Sequence, residues 1–449
     1  MFNKIFEDKS WFWTIPVASF LTIFGDINGW SALGISVAIY FVFKVIQNMG
    51  KNIPIIDLMT AIAALQWVVG PFIDYHNDVT HYKYHMYIPE AQYMSYIVPA
   101  IIAFRIGTRF FNTDSDLNNI SQRVKDLLTH YPRLPYIMIV GGLLAPFFSN
   151  FTPSAFNFVF FLLANLKYIG VIYLLFSNSQ KRWLIFTATM VFTATVSIAS
   201  GMFHDFLLWA MLSFTFVAKE LHLKLSTKLI LSVVGMFVAI TIQSVKHQYR
   251  TLVWEHGYSG NKTVLFLSMA SEQWRSGQIG TPRTDSEINN RLNQGWIISA
   301  IMENVPKNRP FAHGRTLKEA IEASLLPRFL APNKKGGGGR SDFLKFTGLQ
   351  INEGTAMGIS LAGESYANFG RMGGIIFLFF WGVFINWFWK KLNDWSYYYS
   401  TLLIWSPIIF LQVIKAESDL ITVLNHLVKA SVFTFALLWF IKRFFSVRL

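Results

Sequence analysis

The chain has 449 residues, of which 53% are hydrophobic, 17% aromatic and only 14% charged, with a mean hydropathy of +0.38. Apolar runs of about fifteen to twenty-five residues recur along nearly its whole length, which sets aside a soluble multidomain protein in favour of transmembrane helices. The 39 Lys+Arg against 25 Asp+Glu, formally +14, would suggest nucleic acid on a soluble chain. Here they report basic cytoplasmic loops, and no nucleic-acid-reading pattern is present. The absence of cysteine removes disulfides, thiolate metal sites and a cysteine nucleophile.

The N-terminus does not read as a cleavable signal: Glu7 and Asp8 dilute its charge and no small-residue cleavage site follows. The first apolar run, Trp11 to Phe24 with Pro16 inside, is shorter than the roughly 20 residues of a span, so it is expected to tilt, thin the bilayer or re-enter. Further spans are expected over 30–47, 54–73, 88–110, 134–150, 153–177, 183–201, 204–218, 229–245, 369–389, 398–415 and 421–441. The expected fold is an all-α polytopic integral membrane protein of about twelve transmembrane helices. Residues 1–245 and 369–449 form its membrane domains, and 246–368 form one large helical extracytoplasmic loop.

Loop charges orient this scheme. With the N-terminus inside, the cytoplasmic segments carry Lys44, Lys51, Arg109, Arg123, Lys125, Arg133, Lys181 and Arg182. Later ones carry Lys219, Lys224, Lys228, Lys390, Lys391, Lys442, Arg443 and Arg448. The short outer turns 25–29, 151–152, 202–203 and 416–420 contain neither Lys nor Arg. This register predicts both termini in the cytoplasm and 246–368 outside; the loop's own charge does not count, since long loops translocate regardless.

The loop holds 15 Lys/Arg and 10 Asp/Glu. Thr284-x-x-Glu287 and Thr316-x-x-Glu319 read as capping boxes opening two helices, the second stopped by Pro327. Lys334, Lys335 and Gly336 to Gly339 read as a mobile segment between Arg328 and Arg340. Eight arginines lie here, at 250, 275, 283, 291, 309, 315, 328 and 340. Guanidinium groups pair bidentately with phosphate, so Arg291, Arg315, Arg328 and Arg340 are candidate anion ligands; ordinary surface ion pairs with Glu319 or Glu322 are the alternative. His313 is a candidate acid/base or sugar ligand, against a structural role. Glu364, flanked by Ser360 and Asn368 at helical spacing, sits where the loop re-enters the bilayer. Partial desolvation there suits a general base, but the same carboxylate can instead pair with an arginine and fix the helix. Tyr366 and Asn368 complete the candidate substrate contacts. In the first outer loop Asp74, His76, Asp78, His81, His85 and Glu90 could ligate a metal, while Tyr75, Tyr82, Tyr84 and Tyr87 equally suggest a sugar-stacking surface. Within the spans Asp57, Arg105, Lys167 and the Lys415/Glu417/Asp419 group are candidates by position, most close enough to an interface to snorkel.

At Arg291, Gly295, Pro306, Pro310, Gly314, Pro327 and Arg328, and then at Gly363-Glu364-Ser365-Tyr366-Ala367-Asn368-Phe369-Gly370, the sequence resembles the Wzy-type O-antigen and oligosaccharide repeat-unit polymerases. The resemblance implies a bacterial inner-membrane enzyme of GT-C type, joining repeat units carried on undecaprenyl diphosphate at the periplasmic face. It implies a lipopolysaccharide or exopolysaccharide product, and a flippase and a chain-length regulator as partners. Many members have two arginine-bearing outer loops; here the second, 74–88, is short and has Lys83 but no arginine.

The chemistry agrees. Nucleotide sugars are absent outside the cell, so an energised donor arrives as a lipid diphosphate. Its departing charge can be met by arginines without metal or cofactor, and the acceptor hydroxyl needs a base such as Glu364 or His313. Two alternatives share parts of this reading: a ligase moving finished polymer to a lipid core, and a flippase of lipid-linked glycans. A carrier, however, concentrates its polar groups near the bilayer midplane rather than in a long outer loop.

Overall fold

The computed structural model describes residues 9–77, 82–113, 115–153, 156–276, 292–326, 334–337, 339–353 and 355–445. These residues are helical throughout apart from turns and loops, and their strand-like pairings are two isolated bridges, Met49 with Asn52 and Asn52 with Asp116. In chain order the helices are α1 (Thr14–Phe24), α2 (Gly29–Asn48), α3 (Ile55–Tyr75, with a π-turn over Leu65–Val69), α4 (Glu90–Gly107), α5 (Leu117–His130) and α6 (Leu134–Ser149). Next come α7 (Asn157–Leu175), α8 (Arg182–Ser200), α9 (His204–Glu220), α10 (Leu225–Glu255) and α11 (Lys262–Arg275). The last are α12 (Gly295–Asn304), α13 (Arg315–Leu325), α14 (Arg340–Thr347), α15 (Ser360–Trp395), α16 (Ser406–Phe410) and α17 (Leu420–Phe445).

Among the described residues seven helices are long and apolar enough to cross a membrane: α2, α3, α7, α8, α10, α15 and α17. The number rises to eight if α5 and α6, bent by 95°, form one span. The protein is therefore a helical chain with several membrane-crossing candidates, fewer than the twelve apolar runs suggested. For one of the missing runs the reason is physical. The run 398–415 is not one helix but a 3-10 turn over Leu402–Trp405, the five-residue α16 and further turns, and Leu402 to Leu411 are all buried. Burial against protein selects the same apolar residues as burial in lipid, so hydropathy alone does not separate the two.

The described residues beyond 245 share a core with the rest of the chain. Helix α10 runs through that point to Glu255. Trp296, Ile298, Ala320 and Phe343 belong to one continuous core with Trp67, Tyr93, Tyr366 and Trp405.

Helices α4 and α15 pack with backbones almost touching. A Cβ on Gly107 would lie 2.1 Å from the Phe379 carbonyl, and one on Gly382 would lie 2.4 Å from that of Phe104. Small residues permit this approach in membrane helices. Beside them Arg105 does not snorkel: it pairs with Asp57 at 2.6 Å, and Asn48 Nδ2 donates to the same carboxylate at 2.6 Å.

Turns gather at two ends. At one, Lys415 Nζ meets Asp205 at 2.7 Å, Gln66 Nε2 donates to Glu417 at 3.2 Å and Trp67 Nε1 donates to the Ala416 carbonyl at 3.2 Å. Tyr87 N donates to Ser299 Oγ at 3.1 Å there, which seats α12 on the same end. The basic segments meet at the other. Leu117 N donates to Lys51 O at 2.9 Å, Lys228 Nζ to Met49 O at 2.8 Å, Arg182 to Glu220 at 3.2 Å and Arg123 to Ser396 O at 3.1 Å.

Candidate functional site

The site grows from a break in α15. Gly370 has φ +67° and ψ −165°, a conformation open essentially to glycine alone, and it ends a first arm of the helix at Phe369. A helix that stops leaves its last carbonyls without partners. Here Ala312 N donates to Ala367 O at 2.9 Å, His313 N to Asn368 O at 3.1 Å and Gly314 N to Asn368 Oδ1 at 3.0 Å. The turn so fixed leads into α13.

Glu364 lies on that arm and is 3% exposed. Its Oε2 accepts from Leu420 N, the first residue of α17, at 2.7 Å. The Thr316 hydroxyl of α13 also bonds this carboxylate, and it accepts from Asn368 Nδ2 at 2.7 Å. One carboxylate thus ties α13, α15 and α17, placed where a helix N-terminus favours negative charge. Asp419 shares that terminus: its Oδ1 accepts from Thr422 N at 3.0 Å, while its buried Oδ2 has no partner. In this arrangement Glu364 holds helices together and does not line the open cleft described next. Glu364→Ala is expected to cost about 1–3 kcal/mol by leaving Leu420 N–H without its acceptor, whereas Glu364→Gln restores an acceptor and most of the stability. Thermal unfolding in detergent reads this directly. Normal stability of Glu364→Ala would show that the tie carries no load.

Beside this tie, α13, Lys334–Lys335 and the start of α14 enclose a cleft of about 460 Å³. Arg315, Lys334, Lys335 and Lys345 line it, with Glu319, Glu322, Ser341 and Asp342. Lys335 Nζ bonds both Asp342 oxygens at 2.6 Å and Glu319 at 2.9 Å. Burial works against its ammonium, but these carboxylates outweigh that and hold its pKa above the ordinary lysine value. Arg315 Nε lies 3.4 Å from Glu319. Lys334 Nζ instead closes the C-terminus of α13, bonding Ala323 O at 2.8 Å and Leu326 O at 2.5 Å. Lys345 sits over the Phe346 ring at 5.1 Å. Four cations therefore face three carboxylates. Among the described residues Lys334 and Lys345 have no carboxylate within ion-pair distance.

The candidates sort as follows. His313, exposed and at φ +46°, stands two residues from Arg315 on the same turn. Asn368 joins Glu364 through Thr316. Tyr366 is buried in packing, its ring 5.2 Å from Tyr96 and 6.3 Å from Phe311. Arg340 braces the chain at Ile351 O (3.2 Å) instead of lining the cleft, and its buried Nε has no partner. Arg291 and Arg328 lie outside the described residues, as do Asp78, His81 and the Thr284/Glu287 capping box. Among the described residues no group of three or more His, Asp or Glu lies close enough to hold a metal ion.

Two readings change. Thr316 is not an N-cap: α13 begins at Arg315 behind Gly314, and the hydroxyl serves Asn368 and Glu364 instead. Lys334 and Lys335 are anchored by α13 and α14, not loose. Asp342 and Lys345 are not singled out by the sequence, because nothing in their local spacing reports contacts made across separate helices. Comparison with protein-family models, curated proteins and solved structures finds no match to this chain.

Proposed function

We propose that this protein is a membrane glycosyltransferase that polymerises oligosaccharide repeat units carried on undecaprenyl diphosphate, at the periplasmic face of a bacterial inner membrane. In this reading both termini and the basic end are cytoplasmic, and the cleft faces the periplasm. The supporting observation is a cleft with Arg315, Lys334, Lys335 and Lys345 on its walls, tied to two membrane helices through Glu364 and Leu420.

In the reaction the acceptor hydroxyl oxygen forms a bond to the donor's anomeric carbon as that carbon's bond to the diphosphate oxygen breaks. The electron pair leaves with the polyprenyl diphosphate, where preorganised cations meet the developing charge. The hydroxyl proton passes to a base, and His313, exposed beside Arg315, is better placed for this than the enclosed Glu364.

Deletion of the gene tests the reading. Loss of long glycan chains with single repeat units retained on the lipid core is the expected phenotype. Loss of every repeat from the core would instead indicate a ligase or a flippase. A cysteine at the exposed Gly337, in a chain without native cysteine, should label from outside intact inner membranes. Labelling only after cytoplasmic access would overturn the placement.

A further inference from the structure

Helix α7 is interrupted at Asn165, and Lys167 follows the interruption. It lies about 15 Å along the helix from Asn157, and well short of the other end at Leu175. A charged side chain at that depth is costly in hydrocarbon and marks a functional position by default. Lys167 Nζ donates to Ala164 O at 2.8 Å and lies 4.8 Å from the centre of the Tyr168 ring. Among the described residues no carboxylate comes within ion-pair distance of it. An ammonium has three N–H donors, and one of them serves Ala164.

Lys167 stands at the foot of a cavity of about 450 Å³ between α6 and α7. Asn157, Phe160 and Ala164 line it at helical spacing, and Lys167 is the next position on that face. On the α6 side the foot is closed by Gly142, where a Cβ would lie 2.3 Å from Lys167 N. Phe160, Phe161 and Pro146 form the apolar walls. The rim is polar. The side-chain amides of Asn150 and Asn157 make no hydrogen bond among the described residues. The Ser149 and Thr152 hydroxyls donate to Pro146 O at 2.7 Å and Ser149 O at 3.1 Å, which leaves their lone pairs to accept.

Aromatic walls with a rim of amides and hydroxyls suit a sugar ring, its carbon-bound hydrogens on the ring faces and its hydroxyls on the rim. The cation at the foot calls for one negative charge. A diphosphate carries more charge than a single ammonium can meet, whereas one carboxylate matches it. We propose that this cavity binds one acidic sugar residue, with its carboxylate at Lys167. The volume falls within the roughly 300–1,000 Å³ of ligand pockets. Phe161 also lies 6.4 Å, ring to ring, from His426 of α17, the helix whose first residue donates to Glu364, so the cavity and the candidate site share that helix. The assignment deepens the glycosyl-transfer reading by giving the repeat unit an acidic sugar, and it rests on that reading only for where the sugar comes from.

The test titrates the purified protein with methyl glucuronide and with methyl glucoside, which differ only in a carboxylate against a hydroxymethyl group. Binding is followed by saturation-transfer NMR in a detergent without a sugar headgroup. The unaltered protein should bind the glucuronide roughly tenfold more tightly, the margin of one charge-assisted bond. Lys167→Met should bring the two affinities together and leave glucoside binding as it was, while Phe160→Ala should weaken both. Equal affinity for the two sugars, or binding of neither, by the unaltered protein would overturn the proposal, and these arms need no variant to fold. A preference that persists in Lys167→Met would overturn it too. So would displacement of the glucuronide by phosphatidylglycerol added to the micelles, which would assign the cavity to a lipid headgroup. None of these outcomes alters the phenotype expected of the deletion, so the two readings fail separately.

Discussion

Arg315→Ala combined with Lys345→Ala is expected to slow chain extension by about 10²- to 10⁴-fold per mole of folded enzyme. If the cleft is the diphosphate site proposed above, each change removes one charge-assisted contact to the leaving group, about 1.5–3 kcal/mol, and every 1.36 kcal/mol is tenfold in rate. The singles should each lose about 10- to 100-fold, with Arg315→Lys recovering part, because an ammonium keeps the charge but not the planar fork. Among the described residues Arg315 pairs with Glu319 at 3.4 Å and Lys345 lies over an aromatic face, so neither substitution strands a buried carboxylate there. Lys335→Ala is a different experiment, since it leaves the buried Asp342 without its cation and tests folding more than binding. Donor affinity measured alongside turnover separates ground-state from transition-state binding. Near-normal turnover in the double variant would remove the cleft as the diphosphate site.

The second large effect concerns the break in α15. Gly370→Ala should destabilise the protein by roughly 1–3 kcal/mol for the backbone conformation alone. The added Cβ would also come within 3.1 Å of Phe311 Cζ, the ring beneath the turn that carries His313. Gly141→Ala is the matched control: that position lies within α6, and a Cβ there meets nothing within 4 Å. A glycine replaced in a compatible helical position is neutral or mildly stabilising. Unfolding midpoints of the two variants in one detergent compare them, and equal midpoints would show that the break is not required.

The contrast between these two sites shows what the amino-acid sequence made legible. Period and hydropathy marked α2, α3, α7, α8, α10, α15 and α17, because a long apolar stretch carries its meaning locally. Several of the basic segments touch one another, as where Leu117 N donates to Lys51 O and Arg123 to Ser396 O. Glu364 and Asn368 stood out as polar residues on an apolar helix, and they do sit together with Thr316. What remained hidden depends on partners distant in the chain. Lys335 reads as a loop residue until Asp342 and Glu319 face it. Arg340 looks like its fellow arginines until its guanidinium is spent on Ile351. The 398–415 run looks like a span until its neighbours are seen to enclose it.

The bond from Leu420 to Glu364 also sets an order of assembly. The two residues are 56 positions apart, so the carboxylate enters the membrane region before its backbone donor has been made. At about 5–20 residues per second, synthesis leaves an interval of seconds in which α15 must carry that group without α17. During those seconds the carboxylate is a tolerable passenger only if it keeps a proton or stays near water, because an unpaired charge is costly in hydrocarbon. The arrival of α17 then acts as a latch on the nascent chain: α15 can already pack on α4, but until Leu420 is made its Glu364 carboxylate lacks the backbone donor that ties it to α17.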